Sequence, residues 1–187
     1  MILHVKNMVC DRCIMVVNQQ LASLDFTVLS SVLGQVNIAE EPGESGLSKI
    51  RSALKILGFE LIDQKRGQLV ERIKNVIVEM VHHTEADAVR TNYSDHIASR
   101  LNKDYPYLST IFSESEDITI EKYIISQKIE KVKELLEYGE MNLNEIALAM
   151  GYSSAAHLST QFKNVTGITP SKFKTLESKR RKPLDMI

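Results

Sequence analysis

Cys10 and Cys13 are the only thiols in this chain, and they stand three positions apart. Two thiolates on one short loop can converge on a single ion, and soft sulfur donors favour Cu(I) or another thiophilic ion. Zn(II) takes four donors, and only two are local. The same spacing serves a dithiol–disulfide couple, or no chemistry at all, as two small residues in a turn. All three readings stand open here. Cys13 sits where a helix starts, so the helix dipole favours its thiolate, with Arg12 assisting and Asp11 opposing. A second reactive surface lies far downstream, in "SAAHLSTQFK" from Ser154. At ~100° per residue a helix groups Ala155, Ala156, Ser159, Thr160 and Lys163 on one face. Small side chains on such a face permit close approach, and the hydroxyls offer hydrogen bonds to a polar partner.

The bounds on the whole chain limit the elements that position these residues. A length of 187 residues suits two small domains, since one commonly takes about 100–150. Lys and Arg (23) nearly balance Asp and Glu (24), which argues against a uniformly basic nucleic-acid coat. The basic charge is local: 163–187 holds seven Lys or Arg against Glu177 and Asp185. "KRRK" at 179–182 reads as a solvated charged tail or a phosphate-tracking arm. The chain shows no leader pattern, and no apolar run approaches the ~18 residues that span a bilayer. The expectation is a cytoplasmic chain with no membrane partner, where CxxC serves metal or redox work. No Ser/His/Asp grouping, Gly-rich phosphate loop or supported carboxylate pair is present, so no enzyme is expected.

In "ILHVKNM", Leu3 and Val5 share one face, which predicts a half-buried strand. His4 points to the other face and is not counted as a ligand. Ile14, Val17, Leu21 and Leu24 predict a helix face. "FTVLSSVLGQVNIAE" predicts two strands turning near Gly34, and Leu47, Ile50, Leu54 and Leu57 a second helix stopped at Gly58. "FELID" predicts a last strand. The order is strand–helix–strand–strand–helix–strand, an α+β split βαβ arrangement of ferredoxin-like kind, over residues 1–67.

Met8, Cys10 and Cys13 form M-x-C-x-x-C between the first strand and first helix, and "LGF" at 57–59 marks the second helix-to-strand junction. In these features, roughly the first 63 residues resemble the heavy-metal-associated domain of copper chaperones and metal-pumping ATPases. That family usually has Gly where Asn7 sits. The resemblance implies Cys10 and Cys13 as metal ligands and a soft metal ion such as Cu(I) as the bound species. Met8 is expected as a core plug beneath the loop.

A connecting segment, 68–92, follows. Leu69, Ile73, Ile77 and Met80 make one helical stripe, with Val70 and Val81 beside it and charges opposite. The stripe must be buried, by neighbouring domains or in a homodimer seam formed by this 68–83 helix or by the N-terminal domain. His82 and His83 are expected as a polar cap at its end.

The remainder, 93–187, contains a repeat. "YLSTIFSESEDITIEKY" (107–123) aligns with "HLSTQFKNVTGITPSKF" (157–173) at an offset of fifty. Leu108/Leu158, Ser109/Ser159, Thr110/Thr160, Phe112/Phe162, Ile118/Ile168, Thr119/Thr169 and Lys122/Lys172 are identical, and upstream Ile97-Ala98 matches Ile146-Ala147 at forty-nine. Each unit reads as helix, tight turn, helix. Asn142 with Glu145 predicts a capping box, Gly151 a left-handed helix end, Ser153 or Ser154 the next cap, and Thr169-Pro170 another helix start. Ile125, Ile129, Val132 and Leu136 predict one amphipathic helix over about 121–137 between the units.

Two helix–turn–helix units joined by one helix resemble the AraC-type DNA-binding domain, and "IALAMGYSSAAHLSTQFKNVTGITPSKFK" is similar to that family's C-terminal signature. The resemblance covers about 93–177. It implies double-stranded DNA as partner, with each second helix in a major-groove segment and the two about one turn (~34 Å) apart. The implied base-facing positions are Ala155, Ala156, Ser159 and Thr160, with Ser154 and Lys163 beside them and Pro106, Ser109 and Thr110 in the first unit. Glu114, Glu116 and Asp117 follow the first reading helix, so that unit is expected to bind more weakly. A helical bundle that binds protein is the competing reading of this half.

Together the two halves predict a bacterial AraC-type transcriptional regulator with a metal or redox input. The alternative is an intracellular metal carrier or dithiol protein with an accessory nucleic-acid module.

Overall fold

The computed structural model describes residues 1–83, 92–176 and 181–187. They fall into two compact units, 1–75 and 76–187. In the first, alternation makes strand β1 (Ile2–Lys6), with Leu3 and Val5 inward. Helix α1 (Asp11–Ala22), strands β2 (Val28–Val32) and β3 (Gln35–Ile38), helix α2 (Glu44–Ile56) and strand β4 (Glu60–Leu61) follow. The sheet order is β2-β3-β1-β4, and every neighbouring pair is antiparallel. Leu3, Val5 and Val36 from the sheet pack with Val17 and Leu21 of α1 and Ile50 and Leu54 of α2. Met8 is fully buried in the same core.

Two local departures have identifiable causes. "FELID" yields only two strand residues, because the Asp63 carboxylate binds Arg51 (2.7 Å) and its carbonyl accepts from Gln68, drawing the chain off the sheet. Leu57 is exposed rather than inward, since it is the C-cap of α2 and lies beyond the last helical turn. The turn between β2 and β3 requires glycine. Gly34 has φ +76°, and a Cβ there would lie 2.1 Å from Asn75 Nδ2.

Helix α3 (Lys65–Val78) continues into a π-helical turn, Glu79–His83. A single buried stripe with charges opposite is not what forms. Val70, Glu71, Ile73, Asn75, Val76, Ile77 and Val78 are all buried. The polar pair is buried because it serves backbone groups. Glu71 Oε1 accepts from the Asn7 N–H (3.0 Å), and Asn75 Nδ2 donates to Leu33 O (3.2 Å). The rest of the expected connector, 84–91, lies outside the described residues.

The second unit is helical: α4 (Tyr93–Leu101), α5 (Tyr105–Glu116), α6 (Ile120–Tyr138), α7 (Leu143–Ala149), α8 (Ala155–Thr166) and α9 (Pro170–Lys174), with a 3-10 turn at Leu184–Met186. Helix α6 buries Tyr123, Ile124, Gln127, Ile129, Val132 and Leu136. Ile125 is only half-buried, and Ile124 takes the inward place expected for it.

The repeat recurs in detail. Thr119 caps α6 and Thr169 caps α9, each accepting the N–H three residues on, at 3.3 Å. Phe112 packs on Tyr123 with ring centroids 5.5 Å apart, and Phe162 on Phe173 at 5.6 Å. The left-handed turns match as well: Asn102 (φ 51°) corresponds to Gly151 (φ 71°), and Asp117 (φ 56°) to Gly167 (φ 80°). Asn and Asp tolerate this region at some cost, whereas Gly has none.

Candidate functional site

Each helix–turn–helix unit sets a reading helix on a buried pair, Leu108 and Phe112 under α5 and Leu158 and Phe162 under α8. Position by position, 105–112 and 155–162 have the same burial pattern. Ala156, Thr160 and Lys163 are exposed, with Ala155 and Ser159 half-buried beside them; Pro106 and Thr110 are exposed and Ser109 half-buried. The residues expected on one face of each helix are therefore brought together.

Their hydrogen bonds narrow what they offer. Ser154 is the N-cap of α8, and its Oγ accepts from the His157 N–H at 3.1 Å. Thr160 donates its hydroxyl to Ala156 O, and Thr110 to Pro106 O, each at 3.0 Å. Each threonine thus turns its methyl and an accepting oxygen outward. The capping box before α7 is complete: Asn142 Oδ1 accepts from Glu145 N–H and Glu145 Oε2 from Asn142 N–H.

The units differ at the head of the reading helix. Where α8 begins with Ala155, α5 has Tyr105, whose hydroxyl donates to Glu121 Oε1 at 2.6 Å. That hydrogen bond lowers the Glu121 pKa, while burial and Glu121 raise that of Tyr105. Tyr105 was not among the expected residues. Its signal was available in the alignment, where Tyr105 and Glu121 replace Ala155 and Ser171.

Two further polar nodes escaped the sequence reading. Lys128 of α6 donates Nζ to Met150 O (2.9 Å) and stands 5.0 Å from the Tyr93 ring centroid and 5.4 Å from that of Tyr152. Burial lowers its pKa. Partly desolvated cation–π contacts of this kind are worth about 1–2 kcal/mol. The second node centres on Gln127, which is 0% exposed. Its Nε2 donates to Tyr123 Oη (3.0 Å) and Leu184 O (3.4 Å), and its Oε1 accepts from His82 Nε2 (2.8 Å). His82 is therefore no polar cap exposed at a helix end. Burial, only partly opposed by Gln127, lowers its pKa to about 4.

The tail is not simply solvated. Of the "KRRK" run, 179–180 lie outside the described residues; Arg181 binds Glu134 at 2.7 Å, and the Lys182 N–H donates to Glu130 at 3.0 Å.

In the first unit, Cys10 is the N-cap of α1, with its Sγ 3.5 Å from that of Cys13. Burial raises the Cys10 pKa, but the Cys13 N–H and thiol, with Arg12, outweigh it, and the net shift is downward. Burial dominates at Cys13, whose pKa is raised. The favoured thiolate is thus Cys10 rather than the expected Cys13, because Cys13 and Arg12 act in its favour, while burial and the neighbouring Cys10 weigh against Cys13. Asn7 adopts φ 73° before this loop, and its Nδ2 donates to Gly58 O at 2.9 Å. Among the described residues, no group of three His, Cys, Asp or Glu side chains is assembled for a metal.

Residues 97–175 match the family described as "Helix-turn-helix domain". The Msm operon regulatory protein of Streptococcus mutans is 32% identical over 100 residues, 54% of this chain and 35% of that protein. The melibiose operon regulatory protein of Escherichia coli is 26% identical over 85 residues, 46% of this chain and 28% of that protein. The chain therefore spans about a third of the length of these relatives. The solved C-terminal domain of AraT, a response regulator from Geobacillus stearothermophilus, shares 25% identity at a TM-score of 0.50, covering 64% of this chain and 95% of that one. With this fold and this match, residues 97–175 form a helix-turn-helix domain. No helix among the described residues is long and apolar enough to cross a membrane.

Proposed function

We propose that this chain is a sequence-specific, DNA-binding transcriptional regulator of the AraC type and not an enzyme. The observation that carries the reading is the doubled reading helix, with the same burial pattern over 105–112 and 155–162 and an outward Ser–Thr pair in each. Both relatives named above are regulatory proteins of operons, which supports the same role. On this reading residues 93–187 are the DNA reader, 68–92 the connector and 1–67 a ferredoxin-like input module. Ala155, Ala156, Ser159 and Thr160 face bases from α8, Ser154 and Lys163 flank them, and Pro106, Ser109 and Thr110 take the matching places on α5. Selection of duplexes from a random pool by the full chain tests the function. Failure to prefer any selected duplex over random DNA sinks it.

A second element of the reading concerns the thiols. Two sulfurs 3.5 Å apart, one of them with a lowered pKa, suit a two-donor soft ion. Cys10 and Cys13 would hold such an ion, for example Cu(I), whose state would then bias DNA binding. The same pair suits a disulfide once the sulfurs close to ~2.05 Å. A copper(I) competition titration on wild type and Cys10→Ser/Cys13→Ser, with and without a selected duplex, separates the cases. Equal affinity in wild type and double variant removes the metal site. A site whose affinity ignores DNA removes the sensing role, since linkage is reciprocal.

A further inference from the structure

The geometry points to Lys128 as a positioning residue for the second reading helix, setting where α8 stands relative to α5. This rests on the DNA-reading function proposed above. Lys128 gathers three segments distant in sequence: Tyr93 at the start of α4, Met150 at the end of α7, and Tyr152 in the turn before α8. Met150 is the C-cap of α7, so its carbonyl belongs to the group that a helix end leaves without an intrahelical partner. A cation donating there satisfies the carbonyl and suits the negative end of the helix.

The contact then runs straight to α8. The Tyr152 ring meets the His157 ring edge-on, with centroids 5.2 Å apart at 89°. His157 lies in the first turn of α8 and is fixed by Ser153 Oγ to its Nδ1 (3.1 Å) and by Ser154 Oγ from its N–H. Two contacts therefore separate the Lys128 ammonium from the helix that carries Ser159 and Thr160.

The first unit is held differently. In the aligned turn, Lys103 Nζ stands 5.5 Å from the ring of Tyr107, the counterpart of His157. The reading helix itself is latched to α6 by Tyr105 on Glu121. Glu121 and Lys128 are seven residues apart on α6, about two turns, and so share a face. One helix thus carries one latch for each reading unit. An apolar residue at 128 would fill the space, but it would leave the Met150 carbonyl unpaired and impose no direction on the Tyr152 ring. The directional donor is what ties the turn in one orientation.

The test uses the full chain and a duplex that wild type selects from a random pool. The half read by α8 is first identified as the one whose substitution masks the effect of Thr160→Ala. Lys128→Met keeps the stem and removes donor and charge; Lys128→Arg keeps both. Lys128→Met is expected to lose ~tenfold discrimination in the α8 half alone, the size of one good base contact. Affinity for random DNA should stay within about twofold, and Lys128→Arg should restore most of the loss. A folded Lys128→Met protein that discriminates normally, or that weakens equally on both halves and on random DNA, overturns the proposal. Should Lys128→Met fail to fold, Tyr93→Leu removes one ring and keeps the donor. It is expected to give a smaller loss in the same half, and unchanged discrimination there overturns the proposal too. A pool from which wild type selects nothing removes the DNA-reading function, and this role with it.

Discussion

His82 donates Nε2–H to Gln127 Oε1 at 2.8 Å, since an amide oxygen can only accept, while Gln127 Nε2 donates to Tyr123 Oη and Leu184 O. The imidazole is held neutral, with its pKa lowered from 6.5 to about 4, chiefly by burial. An unfolded chain takes up this proton as pH falls through 6.5, while the folded chain does not until about 4. His82 therefore leaves stability intact above 6.5 and withdraws it as pH drops towards 4, by no more than about 3 kcal/mol. Urea unfolding of wild type and His82→Gln across that range checks this. Parallel losses in both proteins would falsify the assignment.

Asp117 occupies a left-handed position that Gly167 fills in the second unit. Asp117→Gly should raise unfolding free energy by ~0.5–1 kcal/mol, since a side chain is disfavoured there. It also removes a carboxylate after the first reading helix, so affinity for DNA should rise with stability. Denaturant titration and duplex binding measure both, and a destabilised Asp117→Gly protein contradicts the argument.

Gly34→Ala should cost ~1–3 kcal/mol, from its φ of +76° and from collision with the Asn75 amide. Asn75→Ala removes the obstacle. In a double-mutant cycle the pair should therefore cost less than the sum of the single changes. Strict additivity would show that the collision is not part of the cost.

Thr160→Ala or Ala156→Asp should cost specific binding more than Ser109→Ala or Thr110→Ala, by ~1–3 kcal/mol for a lost base contact. The asymmetry follows from the acidic flank of α5 and from Tyr105, whose hydroxyl is held by Glu121. Gel shifts with one selected duplex measure it, and losses of equal size from α5 would reject the asymmetry.

Much of the second unit was legible because its determinants are local. Asn142 with Glu145, Thr169 with Pro170 and the fifty-residue offset each lie within a few residues or within one alignment. The element order of the first unit followed from periodicity for the same reason. What periodicity could not show was where polar side chains on apolar helices find partners. Glu71 and Asn75 lie opposite the expected apolar stripe of Leu69, Ile73 and Ile77, yet both are buried against backbone groups at Asn7 and Leu33. Gln127 and Lys128 are polar positions of α6 that the apolar spacing of Ile125, Ile129, Val132 and Leu136 does not address. Their roles are set by Leu184, Met150, Tyr93 and His82, none of them near in sequence. The thiol preference failed for a smaller reason: helix α1 starts one residue after Cys10, and Cys13 inside its first turn is the more buried of the two.

The docked tail has a consequence for ionic strength. The slope of DNA affinity against salt counts counterions released as phosphates are neutralised, about 0.9 per contact. Arg181 already holds Glu134 at 2.7 Å and lies 3.9 Å from Glu137. Moving it to a phosphate exchanges one anion for another and releases little net charge. Salt sensitivity should therefore fall below what the seven basic residues of 163–187 suggest. It is set instead by exposed lysines such as Lys163 and Lys172, which lie on or beside the reading helix.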